Sequence, residues 1–292
     1  MPEGHSIHRL ARQVQDVFGG QALAASSPQG RFADGAALLD GRVLERAWAH
    51  GKHFFADIEG GLTLNVHLGM YGAMTFGGDE VFAAASSIGA PRRIGETEDH
   101  GALAAAEPPP PRPTVRLRLR SAHGWADLIG ASTCRVLTPQ ELAEVTSKLG
   151  PDPLNDDDPA AFVARAARTG RPVGVVLMDQ SMVGGIGNIY RAEVLFRAGL
   201  DPWTPARDVG ADALAALYAD AQALMRDGVR LGRIVTTAPE HRPGVAAEDA
   251  WPEHANYVYR RQGMPCRVCG QDAIVREEMA ARNLFRCTVC QR

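Results

Sequence analysis

The chain has 292 residues, 45% of them apolar and 22% charged, with a net charge of −3; these are ordinary globular values, and the length exceeds the usual span of a single core. No run approaches the roughly 18 apolar residues of a membrane span, and the polar start Met1-Pro2-Glu3-Gly4-His5 lacks the basic and apolar segments of a secretory signal, so a soluble cytoplasmic protein is expected. Only 2 of the 31 basic residues are lysines, Lys52 and Lys148. Positive charge therefore sits almost wholly on forked guanidinium groups that suit phosphate, although an arginine bias also follows from the base composition of a genome.

In chain order, the first chemistry-bearing feature is Pro2-Glu3. Removal of the initiator Met leaves a secondary amine at the chain end. An α-amino group has an ordinary pKa of about 7.7 to 8, far below about 10.4 for lysine, so a useful fraction is nucleophilic near neutrality. Such an amine can form an iminium ion with a sugar carbon, and the neighbouring Glu3 can move protons. A Met-Pro-Glu start without chemical meaning is the plain alternative. A lysine imine has two candidates, Lys52 in Gly51-Lys52-His53 and Lys148.

Residues 41 to 76 read as strands, with Leu62, Leu64, Val66, Leu68 and Met70 alternating in the pattern of a half-buried strand. Residues 78 to 113 are rich in Ala, Gly and Pro and read as a long flexible insertion. Regular alternation returns in Val115-Arg116-Leu117-Arg118-Leu119-Arg120, which predicts three guanidinium groups on one face, either solvated or tracking phosphates. Thr138-Pro139-Gln140-Glu141 opens a short helix, and Gly150-Pro151-Asp152-Pro153 reads as a rigid linker. Behind it Asp158 and Pro159 start a helix, a second follows Asn188 and stops near Gly199, and a third from about Ala211 places Leu214, Leu217, Ala221, Leu224 and Met225 on one face.

The run Met178 to Tyr190 sets Gly184, Gly185, Gly187 and Asn188 directly ahead of the second helix. Open backbone N–H groups at such a turn would hold a phosphate; glycines that let two helices pack closely are an equal reading. A dinucleotide-binding turn is excluded by the glycine spacing and by the lack of a suitable acid about 20 residues later. The tail carries Cys266-x2-Cys269 and Cys287-x2-Cys290 with 17 residues between the pairs, the spacing of a four-cysteine zinc site. Four thiolates leave no open coordination position, so one structural Zn²⁺ is expected. Residues 251 to 292 hold 7 Arg against 4 acidic residues, with Arg282 near the expected hairpin tip, which favours nucleic-acid binding over a plain staple.

Together Pro2-Glu3-Gly4, Gly51-Lys52-His53, the run from Asp179-Gln180 to Tyr190 and the cysteines ending in Cys290-Gln291 resemble the formamidopyrimidine-DNA glycosylase and endonuclease VIII family, over nearly the whole chain apart from 78 to 113. The resemblance implies an α+β multidomain fold. Its parts would be an N-terminal catalytic β-sandwich with flanking helices over 1–137, a linker and helix-two-turn-helix DNA-binding domain over 138–252, and a zinc-finger β-hairpin over 253–292. It implies a bifunctional DNA glycosylase/AP lyase of base excision repair, with Pro2 attacking C1′ of the damaged nucleotide, Glu3 relaying protons and Lys52 binding a nearby phosphate. Strand cleavage would follow by β,δ-elimination. Asn188 with Gly185 and Gly187 would clamp the DNA backbone, and Arg282 would hold phosphates around the flipped nucleotide. A flipped base leaves a hole, and His67-Leu68-Gly69-Met70-Tyr71-Gly72 matches the loop that fills it, through Met70 and Tyr71.

In the purine-excising branch an Arg and a Phe from a later loop complete this wedge; here that loop reads Gly130-Ala131-Ser132-Thr133-Cys134-Arg135 and has neither in place. The Met70-Tyr71 pair, the opening Pro2-Glu3-Gly4-His5 and Arg31-Phe32-Ala33-Asp34 look like the actinobacterial endonuclease VIII subgroup, which implies oxidised pyrimidines as substrates. The alternatives are a purine-lesion glycosylase of the same family and a damaged-DNA-binding protein without chemistry. The expected partner is damaged DNA, with no membrane, for a monomer acting at the bacterial nucleoid. Cys134 is expected to be a buried thiol, and His5, His8 and His67 to be structural or in contact with DNA.

Overall fold

Apolar residues at spacings of three and four, Ile7, Leu10, Ala11, Val14, Val17 and Phe18, give residues Gly4–Phe18 one buried stripe and fold them as helix α1. Strand β1 (Ala24–Ser26) and a short helix α2 (Ala33–Leu39) follow. Four strands come next: β2 (Leu44–His50), β3 (His53–Ile58), β4 (Leu62–His67) and β5 (Ala73–Gly78). A computed structural model describes residues 2–79, 85–89, 107–155 and 158–292 of this chain. These fall into two compact units, Met1–Lys148 and Leu149–Arg292.

In the first unit β6 (Ser87–Gly89), β7 (Val115–Arg120), β8 (Gly124–Ile129) and β9 (Thr133–Leu137) complete two antiparallel sheets, ordered β2-β3-β4-β9 and β1-β7-β8-β5-β6. Side chains from both sheets and from α1 meet in one core, where Phe54, Leu64 and Val66 join Met74, Phe76, Leu117, Leu119 and Leu128. Strand β6 corrects one expectation. Within 78 to 113, Ser87–Gly89 pair with β5 and complete the edge of the larger sheet, with Ile88 buried, while the buried Ala85 exchanges backbone hydrogen bonds with the Gln13 amide of α1. The remainder of that expected insertion, apart from residues 78, 79 and 107–113, lies outside the described residues.

The arginine face of β7 is corrected as well. Arg120 is exposed, but Arg118 is buried and makes a bidentate ion pair with its cross-strand partner Asp127, both N–H···O distances being 2.7 Å. The Arg118 guanidinium also lies 5.8 Å from the centre of the Trp125 ring. Arg116 donates to the Ala131 carbonyl at 2.8 Å. A guanidinium can enter the fold when a carboxylate and carbonyls satisfy its fork, which alternation alone does not reveal.

Helix α3 (Pro139–Thr146) starts at the expected capping box, with the Thr138 hydroxyl accepting from Glu141 N–H and the Glu141 carboxylate accepting from Thr138 N–H. In the second unit α4 (Pro159–Ala166) is capped by Asp158, and α5 (Val173–Val176) precedes α6 (Asn188–Arg197). Helix α7 (Ala211–Leu231) ends at Gly232 in the left-handed region. Its stripe Leu214, Leu217, Ala221, Leu224 and Met225 packs in one cluster with Phe162, Tyr190 and Val194. Strands β10 (Ile274–Met279) and β11 (Arg282–Cys287) form the C-terminal hairpin.

The buried pair gives a test of this packing. Asp127→Ala strands a guanidinium inside the sheet and is expected to cost about 3 to 5 kcal/mol in urea unfolding, while a double Arg118→Met, Asp127→Leu replacement recovers most of that loss.

Candidate active site and nucleic-acid interface

In the first unit Pro2 and Glu3 lead straight into α1, and both are buried, Glu3 fully. The Glu3 carbonyl accepts the Ser6 N–H at 3.0 Å, so the turn that opens the helix fixes the backbone of the chain start. Helix α1 packs against β2 and β3. The tight turn joining these strands carries Gly51, at φ +58°, and a half-buried Lys52.

Period-2 alternation sorts the four-stranded sheet into two faces. Phe54, Ala56, Leu64 and Val66 enter the core, so His53, Phe55, Thr63, Asn65 and His67 share the other face. That face is not the half-exposed one the sequence suggests, since Phe55, Thr63 and Asn65 are all buried. Asp57 accepts from Trp48 Nε1 at 3.0 Å and from Thr63 Oγ1 at 2.9 Å. Trp48 stacks on Phe55, and the His53 and His67 rings meet edge-on with centroids 5.1 Å apart. Burial lowers the pKa of His67, and the positive charge of Lys52 lowers it further. Burial likewise brings His53 down to about 4, reinforced by His67, His50 and Arg135 against an opposing hydrogen bond from Asn65. The structure thus groups Lys52 with neutral imidazoles. Met70 and Tyr71 stand on the β4–β5 loop, 47% and 71% exposed.

In the second unit the glycine turn departs from expectation. Gly184 N–H donates to the Pro151 carbonyl at 2.8 Å and Gly185 N–H to Gln180 Oε1 at 3.0 Å, while Gln180 Nε2 donates to the Ile186 carbonyl at 3.0 Å. These two glycines spend their donors inside the turn, with Gly185 at φ +84°, so they shape the loop rather than offer open N–H groups. Residues 183–188 are buried, Gly187 caps α6 in extended backbone, and Asn188 is the first helical residue.

Two charged residues of α6 escaped the sequence reading. Arg191, fully buried, donates through Nη2 to Asn188 Oδ1 and at 2.9 Å to the Asn283 carbonyl of β11. With its oxygen engaged, the Asn188 amide turns its NH₂ donors elsewhere. Glu193, also fully buried, accepts from the N–H groups of Tyr257, Val258 and Tyr259 at 2.7 to 2.9 Å and from the Thr236 hydroxyl. The available signal was its position three residues after the apolar Tyr190, on the face that helical periodicity sends inward.

The β10–β11 hairpin turns through Ala280 and Ala281, both at positive φ, and Arg282 opens β11 exposed at that tip. Cys266, Cys269, Cys287 and Cys290 bring their sulfurs within 4.8 Å of one another, with Cys266–Cys290 and Cys269–Cys287 each at 3.8 Å. A tetrahedral ion with metal–sulfur bonds of about 2.3 Å requires sulfur separations near 3.8 Å, so the donors fit such a metal. Gln291 locks the second knuckle, accepting from Cys287 N–H at 2.9 Å and donating to the Leu200 carbonyl at 2.9 Å. Cys134, expected to be buried, is half-buried at the start of β9, and desolvation pushes its thiol up to about 12.

The depressed His53 value sets a pH dependence. The folded protein keeps this ring neutral from 6.5 down to about 4, while the unfolded chain takes up a proton across that window. The contribution is complete above the unfolded value and is lost as pH falls through the window. His53→Gln is expected to flatten the slope of urea-unfolding stability between these limits; an unchanged slope would assign the acid sensitivity to other groups.

Comparison with known proteins agrees with this architecture. Residues 1–127 match the formamidopyrimidine-DNA glycosylase N-terminal domain, and residues 149–240 match the formamidopyrimidine-DNA glycosylase H2TH domain. Endonuclease 8 1 of Mycobacterium tuberculosis is 41% identical over 294 aligned positions that cover all of both chains. The formamidopyrimidine-DNA glycosylase of Ruegeria pomeroyi is 31% identical, again with full coverage of both. The Lactococcus lactis Fpg in complex with DNA containing an abasic site superposes with a TM-score of 0.75 over 99% of each chain at 19% identity, a likeness of fold. The chain belongs to the formamidopyrimidine-DNA glycosylase and endonuclease VIII family, whose members are DNA glycosylases and AP lyases.

Proposed function

We propose that this protein is a bifunctional base-excision DNA glycosylase/AP lyase that prefers oxidised pyrimidines and works through an iminium intermediate on Pro2. The observation that carries the reading is the buried Pro2-Glu3 pair at the start of α1, in one unit with the Lys52 turn, in a chain 41% identical over its full length to a protein named endonuclease 8. The pyrimidine preference rests on that relative and on a 130–135 loop without the Arg and Phe of the purine branch.

In this mechanism the Pro2 nitrogen, freed by removal of Met1, attacks C1′ of the everted nucleotide. The glycosidic bond breaks, and the base departs with its electron pair and takes up the proton that the Pro2 nitrogen loses. Glu3 protonates the sugar ring oxygen, the ring opens, and C1′ is left as an iminium. Loss of a C2′ proton expels the 3′ phosphate, a second elimination expels the 5′ phosphate, and water releases the sugar fragment from Pro2. Lys52 steadies a phosphate beside the lesion, while Asn188 NH₂ and Arg282 grip the backbone. Arg191 serves these grips as a positioning residue, since one guanidinium holds both the Asn188 amide and the strand beside Arg282. Cys266, Cys269, Cys287 and Cys290 would hold one zinc ion, which fixes the hairpin without entering the reaction. The division into 1–137, 138–252 and 253–292 assigns chemistry to the first part and DNA grip to the other two.

Borohydride treatment during turnover on thymine-glycol duplex is expected to trap a covalent adduct mapping to Pro2. No adduct, or one mapped elsewhere, overturns the mechanism in favour of plain binding or another nucleophile. Glu3→Gln is expected to lower base excision far more than cleavage at a preformed abasic site. For the metal, elemental analysis should find one zinc per chain, and chelation should abolish both DNA binding and hydrogen-exchange protection of β10 and β11. Full DNA binding by zinc-free protein would remove the finger from the interface.

A further inference from the structure

In this chain the loop joining β8 to β9 carries no wedge side chain, and its contacts show what it does instead. Ser132 N–H donates to the His67 carbonyl at 2.9 Å. The Ser132 hydroxyl lies 2.9 Å from that same carbonyl and 2.9 Å from His67 Nδ1. Gly69 N–H reaches the same ring nitrogen at 3.1 Å. A backbone N–H can only donate, so Nδ1 is the bare nitrogen of the ring and the proton sits on Nε2. The single Ser132 hydroxyl proton serves either the bare Nδ1 or the His67 carbonyl; with the Ser132 N–H on that carbonyl, either choice fastens Ser132 to His67, whose ring takes the N–H of Gly69 at the start of the Gly69-Met70-Tyr71 turn.

Steric fit reinforces the tie. Gly69 has φ +67°, and a Cβ there would lie 3.0 Å from the Ser132 side chain; a Cβ at Gly130 would lie 2.9 Å from the Tyr71 carbonyl oxygen. Gly72 N–H closes the turn on the Leu68 carbonyl at 2.9 Å. Leu68 and Ala131 anchor the two loops in the common core, and Arg116 holds the Ala131 carbonyl from β7. The underside of the β4–β5 loop is pinned at several points while Met70 and Tyr71 project into solvent.

We propose that residues 130–132 are a buttress that pre-positions Met70 and Tyr71 for insertion, with Ser132 as the positioning residue acting through His67. This rests on the reading of Met70 and Tyr71 as the wedge. A loop already held in its inserting geometry loses less conformational entropy when it fills the hole, so the buttress acts on the insertion step and leaves the sugar chemistry alone.

The test uses the full-length zinc-loaded protein and a duplex carrying a tetrahydrofuran abasic analogue beside 2-aminopurine, whose fluorescence reports unstacking whatever lesion the enzyme prefers. Ser132→Ala is expected to slow the insertion-dependent fluorescence change roughly fivefold, the effect of losing one donated hydrogen bond. Cleavage of a single-stranded abasic oligonucleotide, which has no hole to fill, should fall less than about twofold by the same reasoning. Ser132→Thr keeps the hydroxyl and should restore insertion. An unchanged insertion rate in Ser132→Ala, an equal loss on both substrates, or no rescue by threonine overturns the buttress. A Met70→Ala, Tyr71→Ala double variant with normal insertion instead sinks the wedge reading itself.

Discussion

A charge taken out of water must find partners, and that constraint shapes both units of this protein. Arg118 enters the larger sheet because Asp127 faces it across the strand pair. On α6 the hairpin supplies a carbonyl to Arg191 Nη2, and its lead-in supplies the N–H groups that satisfy Glu193. The two groups of α6 draw together backbone far apart in sequence. Glu193 gathers three consecutive N–H groups more than sixty residues away, and Arg191 reaches from a helix to the strand that starts with Arg282. Such contacts add little net stability over apolar packing, but they admit few alternative geometries.

The first unit applies the same economy to its sheet faces. One face of β3 and β4 supplies the core, while the other buries Asn65 and half-buries His53 and His67 beside Lys52. Burial and nearby positive charge keep these imidazoles neutral. Neutral rings can accept from backbone N–H groups, as His67 does from Gly69, without adding positive charge around Lys52. The β4–β5 loop is thereby shaped by a residue of the same sheet face, and the neighbouring loop contributes backbone and a hydroxyl.

Some of this was legible in the chain. The capping box at Thr138, the Asp158-Pro159 helix start, the apolar stripe of α7 and the doubled cysteine spacing are local patterns, each decided within one or two turns of backbone. The alternation of β4 was visible too, but not that its polar face is covered. The glycine turn illustrates the limit of local reading: glycines before a helix suggest open N–H groups, yet Pro151 and Gln180 occupy two of them.

By itself, then, the sequence determined the β4 alternation, the helix starts at Thr138 and Asp158, the α7 stripe, the cysteine spacing and, through four motifs in the family's order, the membership that the comparisons report. Only the tertiary structure decided which charged side chains lie inside, how Arg191 links Asn188 to the hairpin, and that Ser132 meets His67 at the end of β4. The physical reason is range. Helix caps, strand periodicity and metal knuckles are satisfied by near neighbours, whereas a buried guanidinium, carboxylate or imidazole is stable only where the fold delivers partners from distant parts of the chain.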